Sequence, residues 1–321
     1  MIIDLPSTTT SQVNKKLVEL RESGGAVALG RVLTLVIATG DGTEVEKAIQ
    51  AANDASREHP CRVIVVASGA RQAAPRLDAQ IRVGGDAGAS EVIVLRLYGP
   101  LADEGAGSVV PLLLPDAPVV TWWPTDAPEA PAKDPLGALS HRRITDAAAE
   151  GDPIEALQKR VKSYVDGDTD LAWTRLTSWR AMLSAAMDLP PHERVTSATV
   201  TGAPDSPSTD LLAGWLSAYL EVPVRRLESE RAGSGIYSAL LERPSGNVEI
   251  VRPDGKVGTL TQPGQPDRRI SLQRREVQDC LSEELRRLDP DEIYEVTLSG
   301  LKGIVRGEDV ESSDDEEGDE Q

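Results

Sequence analysis

The chain of 321 residues contains no phenylalanine, and aromatic residues make up only 3% of it. Its cores must therefore be filled by Leu, Val, Ile and Ala. Cysteine is nearly absent too. Cys61 and Cys280 stand far apart, which excludes a secreted disulfide scaffold. Neither has an adjacent resolving thiol, so two separate thiols are expected rather than a redox pair. No apolar run approaches the roughly 20 residues that span a bilayer; stretches 32–38 and 109–114 are among the longest. The N-terminus MIIDLPSTTT has neither a basic nor a long apolar segment, so no targeting peptide is read there. A reducing cytoplasm is the expected compartment, with no membrane partner.

Catalytic signatures are missing as well. The chain has no P-loop, HExxH, GxSxG or CxxC motif. His59, His141 and His192 are dispersed beside Pro or Arg in expected loops, which suits surface or helix-end roles. No catalytic, cofactor-binding or metal-ligating residue is assigned. The best phosphate candidate is the turn Gly40-Asp41-Gly42, because backbone amides at a helix N-terminus hold anions. Val45 occupies the place of the third glycine, and Asp41, Glu44 and Glu46 put negative charge where a phosphate would sit. A plain strand–helix turn is the favoured reading. Gly84-Gly85 and Gly233–Gly235 read as ordinary loops.

Negative charge is abundant. The net charge is −18, and residues 308–321 hold nine acidic side chains, half of that value. An acidic body repels phosphate backbones, which argues against a nucleic-acid partner. The tail is expected to be disordered, since like charges repel and few apolar residues offset the cost of ordering.

The periodicity predicts an α/β fold. Ser11–Glu22 reads as a helix on Val13, Leu17 and Leu20, ended by Gly24-Gly25. Strands are expected over 31–39, 62–67, 91–97 and 119–123. Thr43 and Glu46 predict a capping box on a helix running to Glu58. A helical segment is placed at 102–114, interrupted by Pro111, and a proline-rich loop at 125–135. Helices are read at 152–164 and 170–187. Strands alternating with helices imply a first unit built on a mostly parallel sheet with helices on both faces. The second half echoes the first: Arg194-Val195 answers Arg31-Val32, and Pro223 answers Pro60. Two related α/β units or a chance likeness of common βαβ patterns both explain this. Turns at Ser245-Gly246 and Asp254-Gly255 give the second unit a mixed sheet with antiparallel hairpins. A helix over 274–288 and a last strand over 293–298 complete it. The expected division is an N-terminal α/β domain at 1–150, a C-terminal one at 151–307 and the tail at 308–321.

Tryptophan and arginine cluster in what remains. Trp122-Trp123 ends an expected strand, where adjacent residues face opposite sides. One would be core and the other available at the sheet's carboxyl edge, where ligands and partners commonly bind. Trp173, Arg175, Trp179 and Arg180 share one segment, as core residues or as interface anchors.

PVVTWWP (118–124), SHRRITD (140–146) and DLAWTRLTSWRAML (170–183) resemble the OpcA family, the glucose-6-phosphate dehydrogenase assembly proteins, in its actinobacterial form. HPCRVIVV (59–66) and the run 258–301 fit the same family, so the resemblance covers nearly the whole chain except the tail. It implies a non-catalytic protein that binds glucose-6-phosphate dehydrogenase, favours its active oligomer and activates it allosterically. That would place the chain in the oxidative pentose phosphate pathway and NADPH supply. In cyanobacterial relatives the partnership is linked to thiol redox state; with no paired-thiol motif, that is not carried over. The residues read as partner-binding are Trp122, Trp123, Arg142, Arg143, Trp173, Arg175, Trp179 and Arg180. The alternatives are a sugar-phosphate- or nucleotide-binding enzyme or sensor on the same scaffold, or a scaffold protein acting through its tail.

Overall fold

The computed structural model describes residues 1–23, 31–84, 91–229 and 235–308. Gly24-Gly25, Gly85, Gly233 and the acidic tail from Asp309 lie outside the described residues. Two compact units form. One joins Met1–Arg175 to Arg275–Glu292; the other comprises Leu176–Arg274 and the described residues from Ile293.

In chain order the first unit holds β1 (Ile2–Leu5), α1 (Thr10–Ser23), β2 (Leu33–Gly40), α2 (Thr43–Ala55), β3 (Cys61–Ser68), β4 (Arg76–Arg82) and β5 (Glu91–Tyr98). It continues with α3 (Gly105–Val109), β6 (Val119–Trp122), β7 (Arg142–Thr145), α4 (Pro153–Ser163), β8 (Asp168–Asp170) and α5 (Leu171–Thr174). The second unit supplies α6 (Thr177–Met187), β9 (Ser197–Gly202), α7 (Pro207–Leu220), β10 (Val224–Glu228), β11 (Ile236–Glu242), β12 (Val248–Val251), β13 (Val257–Thr261) and β14 (Arg268–Ser271). Then α8 (Val277–Arg286) returns to the first unit, and α9 (Glu292–Gly300) and β15 (Ile304–Glu308) complete the second.

The first sheet runs β1-β4-β5-β3-β2-β6-β7-β8. Its strands from β5 to β8 are parallel, while β4 joins β5 and β1 joins β4 antiparallel. Taken by themselves, the parallel strands follow the doubly wound order of dinucleotide-binding folds, with the chain reversing direction between β2 and β6. Strand alternation divides the core into two layers. Leu35, Ile37, Val63, Val65 and Val94 face Val45, Ile49 and Ala52 of α2 and Cys280, Leu281 and Leu285 of α8. Val36, Ile64, Val66, Ile93 and Leu95 face Val13 and Leu17 of α1, with Val109 and Leu112. Both faces are covered, which is why these strands read as unbroken apolar runs.

The second sheet is mixed, in the order β14-β13-β12-β11-β9-β10-β15. Strands β9, β10 and β15 are parallel; β11 pairs antiparallel with β9 and opens a meander through β12, β13 and β14.

Several local readings change. No side chain caps α2 at Gly42, so the expected Thr43–Glu46 capping box is not made; Glu46 pairs with Arg82 of β4 instead. The helix expected at 170–187 is broken into α5 and α6. Arg175 is tied to Asp146 in the first unit, and the chain passes into the second unit at Leu176. The strand expected at 293–298 is α9. Its buried residues Tyr294, Thr297 and Leu298 fall at helical spacing, whereas Ile293 and Val296 are exposed. Strands β1, β4, β7, β8, β14 and β15 escaped the sequence reading, most being short or polar.

Helix α9 also packs close against α7 at Gly300. A Cβ at Gly300 would overlap the Gly214 carbonyl of α7 and meet Ala218 Cβ at 2.9 Å. Gly300→Ala is therefore expected to destabilise the second unit by about 1–3 kcal/mol through overpacking, read as a lowered urea midpoint with unchanged slope.

Candidate functional site

The tryptophan- and arginine-bearing motifs of the first unit converge on the carboxyl ends of β6, β7 and β8. The next residues after these strands are Trp123, Asp146 and Leu171. In a doubly wound sheet that edge is the ordinary place for ligands and partners.

Buried arginine–carboxylate pairs hold both ends of these short strands: Arg142 and Arg143 open β7, and Asp146 follows it. Arg142 of β7 donates through Nε and Nη2 to Glu284 of α8, at 2.9 and 2.5 Å, and through Nη1 to the Asp289 carbonyl at 2.8 Å. Thr174 Oγ1 donates to the other Glu284 oxygen. Arg143 is held by the Asp168 carboxylate and by the Asp166 and Ser140 carbonyls. Arg175 makes a two-pronged contact with Asp146, both arms at 2.7 Å. Burial works against the Arg175 charge, but the hydrogen bonds and charge of Asp146 outweigh it and raise its pKa.

Asp170 is fully enclosed. It accepts from Ala172 N at 2.8 Å, which caps α5, from Ala147 N at 2.9 Å and from Thr145 Oγ1 at 2.6 Å. Burial, with the neighbouring Asp146 charge, raises its pKa, and the three donors oppose that rise. These bonds hold the ends of β7 and β8 to the start of α5. Trp173 Nε1 donates to Asp291 at 2.8 Å.

Seven of the eight residues read as partner contacts are buried: Trp122, Trp123, Arg142, Arg143, Trp173, Arg175 and Trp179. Both strand-end tryptophans lie inside, on opposite layers, so neither ring is left standing at the sheet edge as expected. In the second unit, Arg252 stacks 5.3 Å from the Trp179 ring centre. Arg180 is half-buried. The structure thus brings Trp122, Trp123, Arg142, Arg143, Trp173 and Arg175 into one unit and places Trp179 and Arg180 in the other.

Two openings flank the reversal between β2 and β6. One, of about 480 Å³, includes Gly40, Ser68, Arg71, Trp123 and Asp126. The other, of about 610 Å³, lies between α2 and the start of α8, with Ala48, Ala51, Trp122, Pro124, Asp146 and Val277 among its walls. The glycine turn between β2 and α2 is a poor fit for a diphosphate. Val45 is buried where the third glycine would stand, Glu44 and Glu46 occupy the first turn of α2, and Asp41 is bonded by Tyr98 Oη at 2.8 Å and Arg96 Nε at 3.3 Å. Among the described residues no group of three or more His, Cys, Asp or Glu could hold a metal ion, and no helix is long and apolar enough to cross a membrane.

Sequence reasoning missed Glu284 and the α2–α8 groove. The signal for α8 was its apolar stripe at Val277, Leu281 and Leu285, but nothing local says which sheet that stripe covers.

These features define a doubly wound α/β unit, followed by a mixed-sheet unit, whose glycine turn carries carboxylates. Residues 52–162 match the family model of the N-terminal domain of a glucose-6-phosphate dehydrogenase subunit, and residues 166–298 match that of its C-terminal domain. The chain belongs to the OpcA family of glucose-6-phosphate dehydrogenase assembly proteins. No curated protein matches it. Among solved structures, an oxidoreductase from Sinorhizobium meliloti is similar at 10% identity and a TM-score of 0.48, covering 85% of this chain and 95% of the other. Glucose-6-phosphate 1-dehydrogenase from Mycobacterium avium is similar at 11% identity and 0.38, covering 87% and 94%. An NAD binding oxidoreductase from Klebsiella pneumoniae is similar at 9% and 0.40, covering 85% and 96%. Likenesses this distant leave the function of the chain to its own residues and its family.

Removing one partner of a buried pair leaves the other charge stranded. Glu284→Ala is expected to cost about 3–5 kcal/mol, with Glu284→Gln milder, in urea unfolding of the whole chain. Burial pushes the Cys280 thiol up to about 11, against the opposing charges of Arg175 and Arg275. Ionisation then favours the unfolded chain, so this group's contribution to stability falls as pH rises from about 8.5 toward that value. Both thiols are buried. Neither should react with iodoacetamide at pH 8 until the fold is opened with guanidinium, and mass spectrometry of the labelled chain checks this.

Proposed function

We propose that the chain is a non-catalytic subunit that binds glucose-6-phosphate dehydrogenase, favours its active assembly and raises its activity. On this reading it acts in the cytoplasm and serves the oxidative pentose phosphate pathway and its NADPH supply. The observation that carries the reading is the family match in two consecutive domains over 52–298. The carboxylate-bearing glycine turn supports it, since a doubly wound unit in this state is a scaffold ill-suited to a dinucleotide. Activation requires the chain to bind the active dehydrogenase more tightly than the inactive one, because equal affinity shifts nothing. The buried Arg175–Asp146 pair suits such a role: it ties the end of β7 to the start of the next segment, so that little order has to be gained there on binding.

Titration of the chain into dehydrogenase from the same organism, followed by NADPH formation, tests the reading. A saturable rise in rate is expected, with no turnover by the chain alone. An unchanged rate together with separate elution in gel filtration would remove it.

A further inference from the structure

The α2–α8 groove has an apolar floor, made by Ala48 and Ala51 of α2, Trp122, Pro124 and Val277. In that floor Trp122 is 2% exposed, and its indole Nε1–H has no acceptor among the described residues. Buried donors normally have partners. Glu44, Glu46, Asp54 and Glu276 stand around the groove, with Lys47 as the cation among its walls. Three of these carboxylates are paired, Glu44 with Lys47 at 2.7 Å, Glu46 with Arg82 at 2.6 Å and Asp54 with Arg57 at 3.1 Å. Two of those cations, Lys47 and Arg57, are more than two-thirds exposed, and exposed pairs are weak enough to be exchanged for a competing cation. Glu276, at the N-cap of α8, is exposed and has no ion pair among the described residues.

We infer that this groove receives a segment of the partner protein in which an apolar side chain is flanked by Lys or Arg. The apolar side chain rests on Ala48, Ala51 and Val277, and the basic side chains face Glu276 and the α2 carboxylates. An acidic segment would meet Glu44, Glu46, Asp54 and Glu276 at the same place, with Asp146 in the wall. The groove lies at the strand reversal between β2 and β6, where doubly wound sheets place their ligands. The inference rests on the dehydrogenase reading and adds to it which surface binds and what chemistry it selects.

The test uses the full chain and the purified dehydrogenase, with affinity measured by calorimetry. Glu276→Arg reverses the unpaired rim charge, and Ala149→Trp fills the groove mouth; both positions are exposed, so an unchanged melting temperature is expected. Each variant should raise Kd on the order of tenfold or more, and added salt should weaken the wild type more than Glu276→Arg. If Ala149→Trp fails to fold, Glu276→Arg decides alone. Wild-type binding with unchanged Kd in both variants would overturn the groove while leaving the dehydrogenase reading intact. Absence of wild-type binding would remove both. If the variants instead abolish self-association of the chain in sedimentation and leave dehydrogenase affinity unchanged, the groove joins two copies of this protein and the inference falls.

Discussion

Arg142, Glu284, Arg175 and Asp146 are buried charges, and a charge taken out of water persists only beside its counter-ion. That constraint organises the first unit. Glu284 arrives on α8, more than a hundred residues after Arg142 of β7, and its two oxygens serve Arg142 and Thr174. Helix α8 is thereby placed against the sheet by ion pairing as well as by Cys280, Leu281 and Leu285. Hydrophobic contact alone does not fix a register, because a Leu face can slide along a sheet. A two-pronged guanidinium–carboxylate contact specifies the position of both partners.

The same constraint shapes the carboxyl edge. Strands β7 and β8 are short and rich in Arg, Asp and Thr, so they carry little apolar drive of their own. Asp168 pairs with Arg143 at the start of β8, and Asp170 accepts from Thr145, Ala147 N and Ala172 N and so joins the ends of β7 and β8 to α5. The glycine turn that serves dinucleotides in this topology carries Glu44 and Glu46 here, with Asp41 held by Tyr98 and Arg96.

What the sequence by itself determined is the class of fold. Apolar runs at 31–39, 62–67 and 91–97 marked strands covered on both faces, and Pro60 and Pro223 marked where strands follow helices. The turns Ser245-Gly246 and Asp254-Gly255 marked the antiparallel meander. The family motifs were readable because Trp and Arg are conspicuous in a chain without Phe. Tertiary structure decided the rest. Helices on both faces were expected, but the burial of both Trp122 and Trp123 depends on which residues of the two layers close over the end of β6. Tyr294, Thr297 and Leu298 turned an expected strand into a helix, because burial follows the face that meets a neighbour rather than apolar content. The pairing of Arg142 with Glu284 and the groove between α2 and α8 join residues distant in sequence, and only the folded chain brings them together.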